Sequence, residues 1–311
     1  SAKDLQFSKC TYHVVSINQC GANTENTYEG HSFVLDKQGN CIVQLPYFEQ
    51  TLAYFETEKE YQPIAEEQPN TIALLHDALV MGIRDYFRKN NFTTATLGLS
   101  GGIDSAVVLA LASEAIGSEN IRVLLLPSEY STSHSVTDAE VLAKNLNVTY
   151  DVVPIKDIYS TSLNTLAPLF GDMPFSVAEE NLQSRIRGVL LMAVSNKFGN
   201  ILLNTSNKSE IAVGYGTLYG DTNGSLSVLG DVYKTDVYAL ARYINRDKEI
   251  IPTNTITKAP SAELRPDQQD SDSLPDYDTL DAILYQYIEA EKSEKELYKM
   301  DVKKETIDKT L

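Results

Sequence analysis

The stretch TTATLGLSGGIDSAVVLALASEAIG, residues 93–117, decides the fold. Its front half, TATLGL (94–99), has the short apolar run of a buried strand. Its back half, DSAVVLALASEAI (104–116), is a mostly apolar helix pattern closed by Gly117. Between them lies SGGIDS. A strand that hands over to a helix through two glycines opens a strand–helix–strand unit. The free backbone N–H groups and the dipole at such a helix start favour an anion.

Working outward, the same alternation continues. IRVLLLP (121–127) reads as a buried strand and SVTDAEVLAKNLN (135–147) as a helix with a capping-box-like Ser135-x-x-Asp138 start. VTYDVVPI (148–155) is a strand, AEENLQSRIRGVLLMAVSNKFG (178–199) a long helix and NILLNTS (200–206) another strand. Upstream, residues 71–91 form an amphipathic helix with Leu75, Leu79, Ile83 and Phe87 at four-residue spacing. This rhythm predicts an α/β fold: a doubly wound parallel sheet with flanking helices and right-handed crossovers. Ligands of such sheets bind beyond the carboxyl ends of the strands. The front is different. Residues 11–17 and 31–45 read as β, the latter a hairpin turning at DKQGN, so a short β-rich segment precedes the sheet. Residues 56–70, acidic and carrying Pro63 and Pro69, have the composition of a linker. The final stretch, from Glu289 onward, is charged and helix-prone.

Bulk composition narrows the function. The 311 residues carry a formal charge of −17 and no basic cluster, which argues against nucleic acid as a main partner. No apolar run is long enough for a membrane span, and the first ten residues lack the apolar region of a signal peptide. The three cysteines, Cys10, Cys20 and Cys41, show no C-x-x-C and fit a reducing, cytoplasmic setting. Neither they nor the four histidines have metal-site spacing.

The glycine loop is neither a Walker loop nor G-x-G-x-x-G. Gly101 and Gly102 let the backbone turn tightly against an anion, and Ser100 and Ser105 add hydroxyls. Asp104 is the odd member, since a carboxylate repels phosphate. A divalent cation between them, Mg²⁺ by its preference for oxygen, removes the conflict. A lone Gly-Gly would be a packing turn; the full S-G-G-x-D-S string between strand and helix favours phosphate. On residue type alone, Glu210 reads as a solvated residue near a helix start and Lys234 as a surface lysine. Asn181 and Arg185 read equally well as a polar helix face, and His134 as a cap or packed residue.

S-G-G-x-D-S resembles the pyrophosphate-binding signature of the N-type ATP pyrophosphatases, which activate a substrate oxygen as an adenylate. Three later stretches narrow the resemblance: ENLQSRIRG (180–188), LLNTSNKSEIAVGYGTLYGD (202–221), and DVYKTDVYALARYIN (231–245) with KAPSAELRPDQQDSDSLPDYDTLDAIL (258–284). Together they resemble the synthetase domain of glutamine-dependent NAD synthetases over about residues 71–290. The resemblance implies ATP-dependent amidation of deamido-NAD through an NAD-adenylate, with ATP and Mg²⁺, on an adenine-nucleotide alpha-hydrolase-like fold. It implies that Gly98, Leu99, Ser100, Gly101, Gly102, Ile103, Asp104 and Ser105 cradle the phosphates. Asp104 and Glu210 would be metal ligands, and Asp104, Glu210 and Lys234 the catalytic set. Ser128, Thr205, Lys234 and Ser261 would contact ATP, and Asn181, Arg185, Glu210 and Asp221 would surround deamido-NAD. A homodimer or higher homo-oligomer is expected on the same ground.

Residues 13–50 resemble the closing strands of a nitrilase-type glutaminase domain, which supplies ammonia from glutamine. The family's catalytic Glu, Lys and Cys lie upstream of this match, so the expectation is that they are absent here and that Cys20 is a packed thiol. The expected division is 1–55 glutaminase remnant, 56–70 linker and 71–311 synthetase domain. The basic segment that usually follows in the family is also expected to be missing beyond Leu311. The other readings are a different N-type pyrophosphatase, such as a GMP synthetase, or an inactive nucleotide-binding module. A tRNA thiolase is disfavoured by the acidic charge and the lack of C-x-x-C.

Overall fold

The computed structural model describes residues 12–23, 26–65 and 69–311. Cys10, residues 24–25 of the nitrilase-like stretch and residues 66–68 of the expected linker lie outside them. The chain divides into two compact units, 1–91 and 92–311.

In the first unit, β1 (Val14–Ser16), β4 (Phe33–Leu35) and β5 (Cys41–Gln44) form an antiparallel sheet in the order β1-β4-β5. β2 (Cys20–Asn23) and β3 (Asn26–Glu29) form a separate antiparallel pair. The β4–β5 hairpin turns where DKQGN predicts it. The Asp36 carboxylate accepts the N–H groups of Gln38 and Asn40, both at 2.8 Å, while Gly39 takes the left-handed conformation at φ +86°. Helix α1 (Thr71–Asn90) is capped by Asn70, whose side chain accepts from Ile72 and Ala73. Its buried residues include His76, Val80, Ile83 and Phe87, whereas Leu75 and Leu79 are half-buried. The stripe is therefore rotated from the one the leucines suggest. Asp85 of α1, itself buried, accepts the Ala22 N–H at 2.9 Å and ties the helix to β2.

In the second unit, a five-stranded parallel sheet has the order β10-β9-β6-β7-β8: β6 (Ala95–Gly98), β7 (Ile121–Leu125), β8 (Thr149–Val152), β9 (Ile201–Asn204) and β10 (Leu226–Ser227). The predicted doubly wound parallel sheet is what the chain builds. It starts at β6 and moves outward through α2 (Ile103–Ile116), β7, α3 (Ser133–Asn145) and β8. It then returns through α4 (Lys156–Phe170) and α5 (Val177–Phe198) to lay β9 on the other side of β6. The reversal puts α2 and α5 on opposite faces and opens a crevice at the carboxyl ends of β6 and β9. Helix α2 is buried through most of its length, so it is apolar on nearly all sides.

Two local differences from the sequence reading have clear causes. Helix α3 starts two residues early, because Thr132 rather than Ser135 is the cap; Thr132 Oγ1 accepts the Ser135 N–H at 3.2 Å. Ser135 is buried and bonded elsewhere. Helix α4 falls where no helix is expected. Its Ser and Thr hydroxyls donate to carbonyls one turn back (Thr161 to Asp157, Ser162 to Ile158), which satisfies them within the helix. Tyr159 anchors it in a core with Leu124, Leu126, Ile155 and Ile186. The charged end forms two short helices, α10 (Glu294–Leu297) and α11 (Lys304–Thr310). They are held on α9 (Tyr277–Leu284) through Ile283, Leu297 and Ile307.

Candidate active site

The glycine loop fills the turn between β6 and α2. Gly102 occupies the cap position of α2 and no side chain caps that helix, so its first N–H groups are available to a ligand. Gly101 sits at φ +81°, and a Cβ there would lie 2.1 Å from the Ser135 carbonyl oxygen. No other residue type fits. Ser100 Oγ accepts the Gly102 N–H at 3.1 Å and meets Ser105 Oγ at 3.1 Å, which holds the loop closed on itself.

Across the crevice, the turn after β9 runs into the short helix α6 (Lys208–Ala212). Asn207, fully buried, caps it by accepting the Glu210 N–H at 3.0 Å and donates to Asp104 at 2.9 Å. Lys234, the first residue of α7 (Lys234–Ile244), is 2% exposed and not a surface lysine. Its Nζ donates to Asp104 at 2.7 Å and to Glu210 at 3.0 Å. The Tyr277 ring lies 5.0 Å from the same Nζ. Asp281 accepts from Ser209 Oγ and the Thr235 N–H, fixing the backbone that presents Lys234. Burial pushes the Glu210 carboxyl up, and the charge of Asp104 adds to it. Burial alone would lower the Lys234 ammonium, but the two carboxylates raise it. Two acids thus share one cation. Their oxygens fit a divalent ion, which ordinarily takes one or two carboxylates and completes its shell from phosphate and water. Among the described residues no three such side chains converge.

A cavity of about 300 Å³ opens over these groups. Gly98, Leu99, Ser100, Gly102, Ile103, Asp104 and Ser105 line it, with Thr205, Glu210, Asp221, Lys234 and Ser261. Gly101 faces Ser135 instead. Ser128 lies off the wall, its hydroxyl accepting the Tyr130 N–H. Asn181 and Arg185 of α5 are also off the wall and are gathered on the turn 217–221. Asn181 accepts from Thr217 Oγ1 at 2.8 Å, and Arg185, exposed, donates to the Leu218 carbonyl at 3.2 Å. Asp221 closes that turn by accepting the Thr217 N–H, and burial raises its carboxyl. Ser261 donates to the Gln268 carbonyl at 2.6 Å. His134 is exposed in the first turn of α3, and Cys20 is a free, half-buried thiol raised by burial.

Three groups at the site escaped the sequence reading. Glu263 reaches back to α3, accepting from Thr132 and, at 2.5 Å, from Ser135 Oγ. Lys258 donates to the same Ser135 hydroxyl at 2.9 Å. Asp270, buried, accepts from the hydroxyls of Tyr215 and Tyr277. Apart from the Asp270–Tyr277 pair, seven residues apart, these contacts span 55 residues or more, so no local spacing announces them.

A glycine loop at the switch point of a parallel sheet, facing a lysine clamped by two carboxylates, defines a nucleotide-phosphate-binding α/β protein. The comparisons narrow this class. The family model for NAD synthase matches residues 75–311, and the chain belongs to that family. It is 47% identical over 299 residues to the glutamine-dependent NAD(+) synthetase of Synechocystis, covering 94% of this chain and 54% of that protein. The glutamine-dependent NAD+ synthetase of Acinetobacter baumannii, solved in complex with ADP, superposes with a TM-score of 0.75 at 41% identity, over 96% of this chain and 55% of that one. The NMN synthetase of Francisella tularensis superposes at 0.67 and 26% identity, over 78% and 92%. The chain spans about half the length of the glutamine-dependent relatives.

Proposed function

We propose that the chain amidates deamido-NAD to NAD at the expense of ATP. The observation that carries this reading is the Asp104–Lys234–Glu210 cluster beside the glycine loop, in a member of the NAD synthase family. That the Acinetobacter relative was solved in complex with ADP supports an adenine nucleotide as a ligand of this chain. The nicotinate carboxylate attacks the α-phosphorus of ATP, the bond to the β-phosphate breaks, and pyrophosphate leaves with the electron pair. Ammonia then attacks the activated carboxyl carbon, AMP departs and a proton is released. The loop N–H groups and Lys234 receive the charge that builds on the pyrophosphate. Asp104 and Glu210 would hold Mg²⁺, which supplies further positive charge to the phosphates. The cavity walls keep water from the adenylate, and the 217–221 turn with Asn181, Arg185 and Asp221 orients deamido-NAD.

By the same resemblance, residues 71–311 are the synthetase domain, residues 1–55 the tail of a glutaminase-type domain, and the protein assembles at least as a homodimer. The test supplies ATP, Mg²⁺, deamido-NAD and ammonium and follows AMP and NAD together. Equal yields of both are expected, and Lys234→Ala should slow their formation roughly 100-fold. Failure of wild type to form either product would overturn the reading.

A further inference from the structure

Helix α5 turns one face to the cavity through Ser184, Arg187, Gly188 and Leu191, at the i, i+3, i+4, i+7 spacing of a helical stripe. Arg187 stands out among them. Its Nε donates to the carbonyl of Leu126 at 3.0 Å, just beyond the end of β7. Its other two nitrogens have no protein partner among the described residues, and no carboxylate there lies within ion-pair distance. Burial pulls the guanidinium down to about 10, with Glu263 and Asp221 acting against it only from a distance. A half-buried cation with no carboxylate partner is costly to the fold unless something anionic answers it. A guanidinium held at one edge, with the rest of its fork open to a cavity, is set to bind a planar pair of anionic oxygens.

Its place in the sheet suggests which oxygens. The glycine loop after β6, with Lys234 on the β9 side, accounts for two phosphates of the nucleotide as a leaving pyrophosphate. The resemblance that makes Ser128 an ATP contact would put the adenosine on the other side, beyond β7, since Ser128 follows that strand. The α-phosphoryl group must bridge the two, between the carboxyl ends of β6 and β7, strands about 4.8 Å apart. Arg187 is tethered at the β7 end of that interval. We propose that Arg187 binds the α-phosphoryl oxygens of the nucleotide, as a contact separate from the pyrophosphate cradle. The proposal rests on the adenylating reading given above.

Titration calorimetry on the whole chain separates the two. AMP carries the α-phosphoryl without the pyrophosphate, and inorganic pyrophosphate the reverse. Arg187→Gln should weaken AMP and ATP roughly 10- to 100-fold, the range for a lost charge-assisted contact. Pyrophosphate affinity should stay within about two-fold, since its cradle is untouched. Arg187→Lys, which keeps the charge but loses the fork, should fall between for AMP. The ligand-free Tm of Arg187→Gln should equal or exceed that of wild type, because an unanswered, half-buried charge is gone. An arginine that only braced the Leu126 carbonyl would instead lower Tm and leave AMP affinity unchanged, and that result overturns the proposal. A wild-type chain that binds neither pyrophosphate nor ATP would bring down the adenylating reading, and this one with it.

Discussion

Two glycines with nearly the same backbone show how one residue type does two jobs. Gly39 (φ +86°) has nothing within 4 Å of where a Cβ would stand, whereas at Gly101 (φ +81°) the Ser135 carbonyl oxygen would be 2.1 Å away. Gly39→Ala should therefore cost only the left-handed backbone, about 1 kcal/mol. Gly101→Ala adds a backbone collision that no side chain can relieve, so its cost should exceed the 1–3 kcal/mol or so of an ordinary strained position. Denaturant midpoints of the two variants check this; equal losses would show that the loop can shift away from α3. Residue type served well at this scale where the chemistry is local. SGGIDS announces its own turn. It failed for Lys234, whose default as a surface lysine is reversed because two acids, one 130 residues away, neutralise it in a buried crevice.

At the scale of elements, α5 carries both the cavity face and the residues gathered at the 217–221 turn, so its start matters. Ser176 and Glu179 form a reciprocal capping box, with the Ser176 N–H donating to Glu179 at 2.8 Å and Ser176 Oγ accepting the Ala178 N–H at 3.2 Å. Ser176→Ala should lower stability by about 1 kcal/mol and leave Ser176→Asp, another good cap, close to wild type. Thermal melts of the pair decide it, and matching melts for Ala and Asp would mean the cap is idle. The strands and the helices packed on them were legible because burial imposes periodicity on them. Helix α4 was not, since its Ser- and Thr-rich sequence and Pro168 argue against a helix and only Tyr159 is deeply buried. The Glu263 and Asp270 contacts were illegible for a different reason: they join the 258–277 segment to α3 and to Tyr215 across long stretches of chain.

For the whole molecule, the balance of carboxyls sets the response to pH. Burial raises those of Glu210, Asp221 and Asp236, so the folded state takes up their protons at higher pH than the unfolded chain. Their ionisation costs stability above the folded values, and that cost is relieved as pH falls through them. Hydrogen bonds hold Glu179, Glu289 and Glu296 below the ordinary range; their contribution is present above it and lost as pH falls through their folded values. Glu289 and Glu296 are exposed and Glu179 is half-buried at a helix start, so that loss is small. With a net charge of −17 adding self-repulsion, the ligand-free protein should melt higher at about pH 6 than at about pH 8. The opposite order would show that the raised carboxyls do not govern stability. The sheet order has a consequence for the timing of assembly as well. Because the chain leaves β6 for one edge and comes back to its other side, the contacts of Asp104 with Asn207 and Lys234 span 103 and 130 residues. Half a sheet, β6 to β8, could collapse early and still have no acid–lysine clamp. The clamp is a seam that exists only when both halves of the sheet are in place, so no segment ending before Lys234 can hold it.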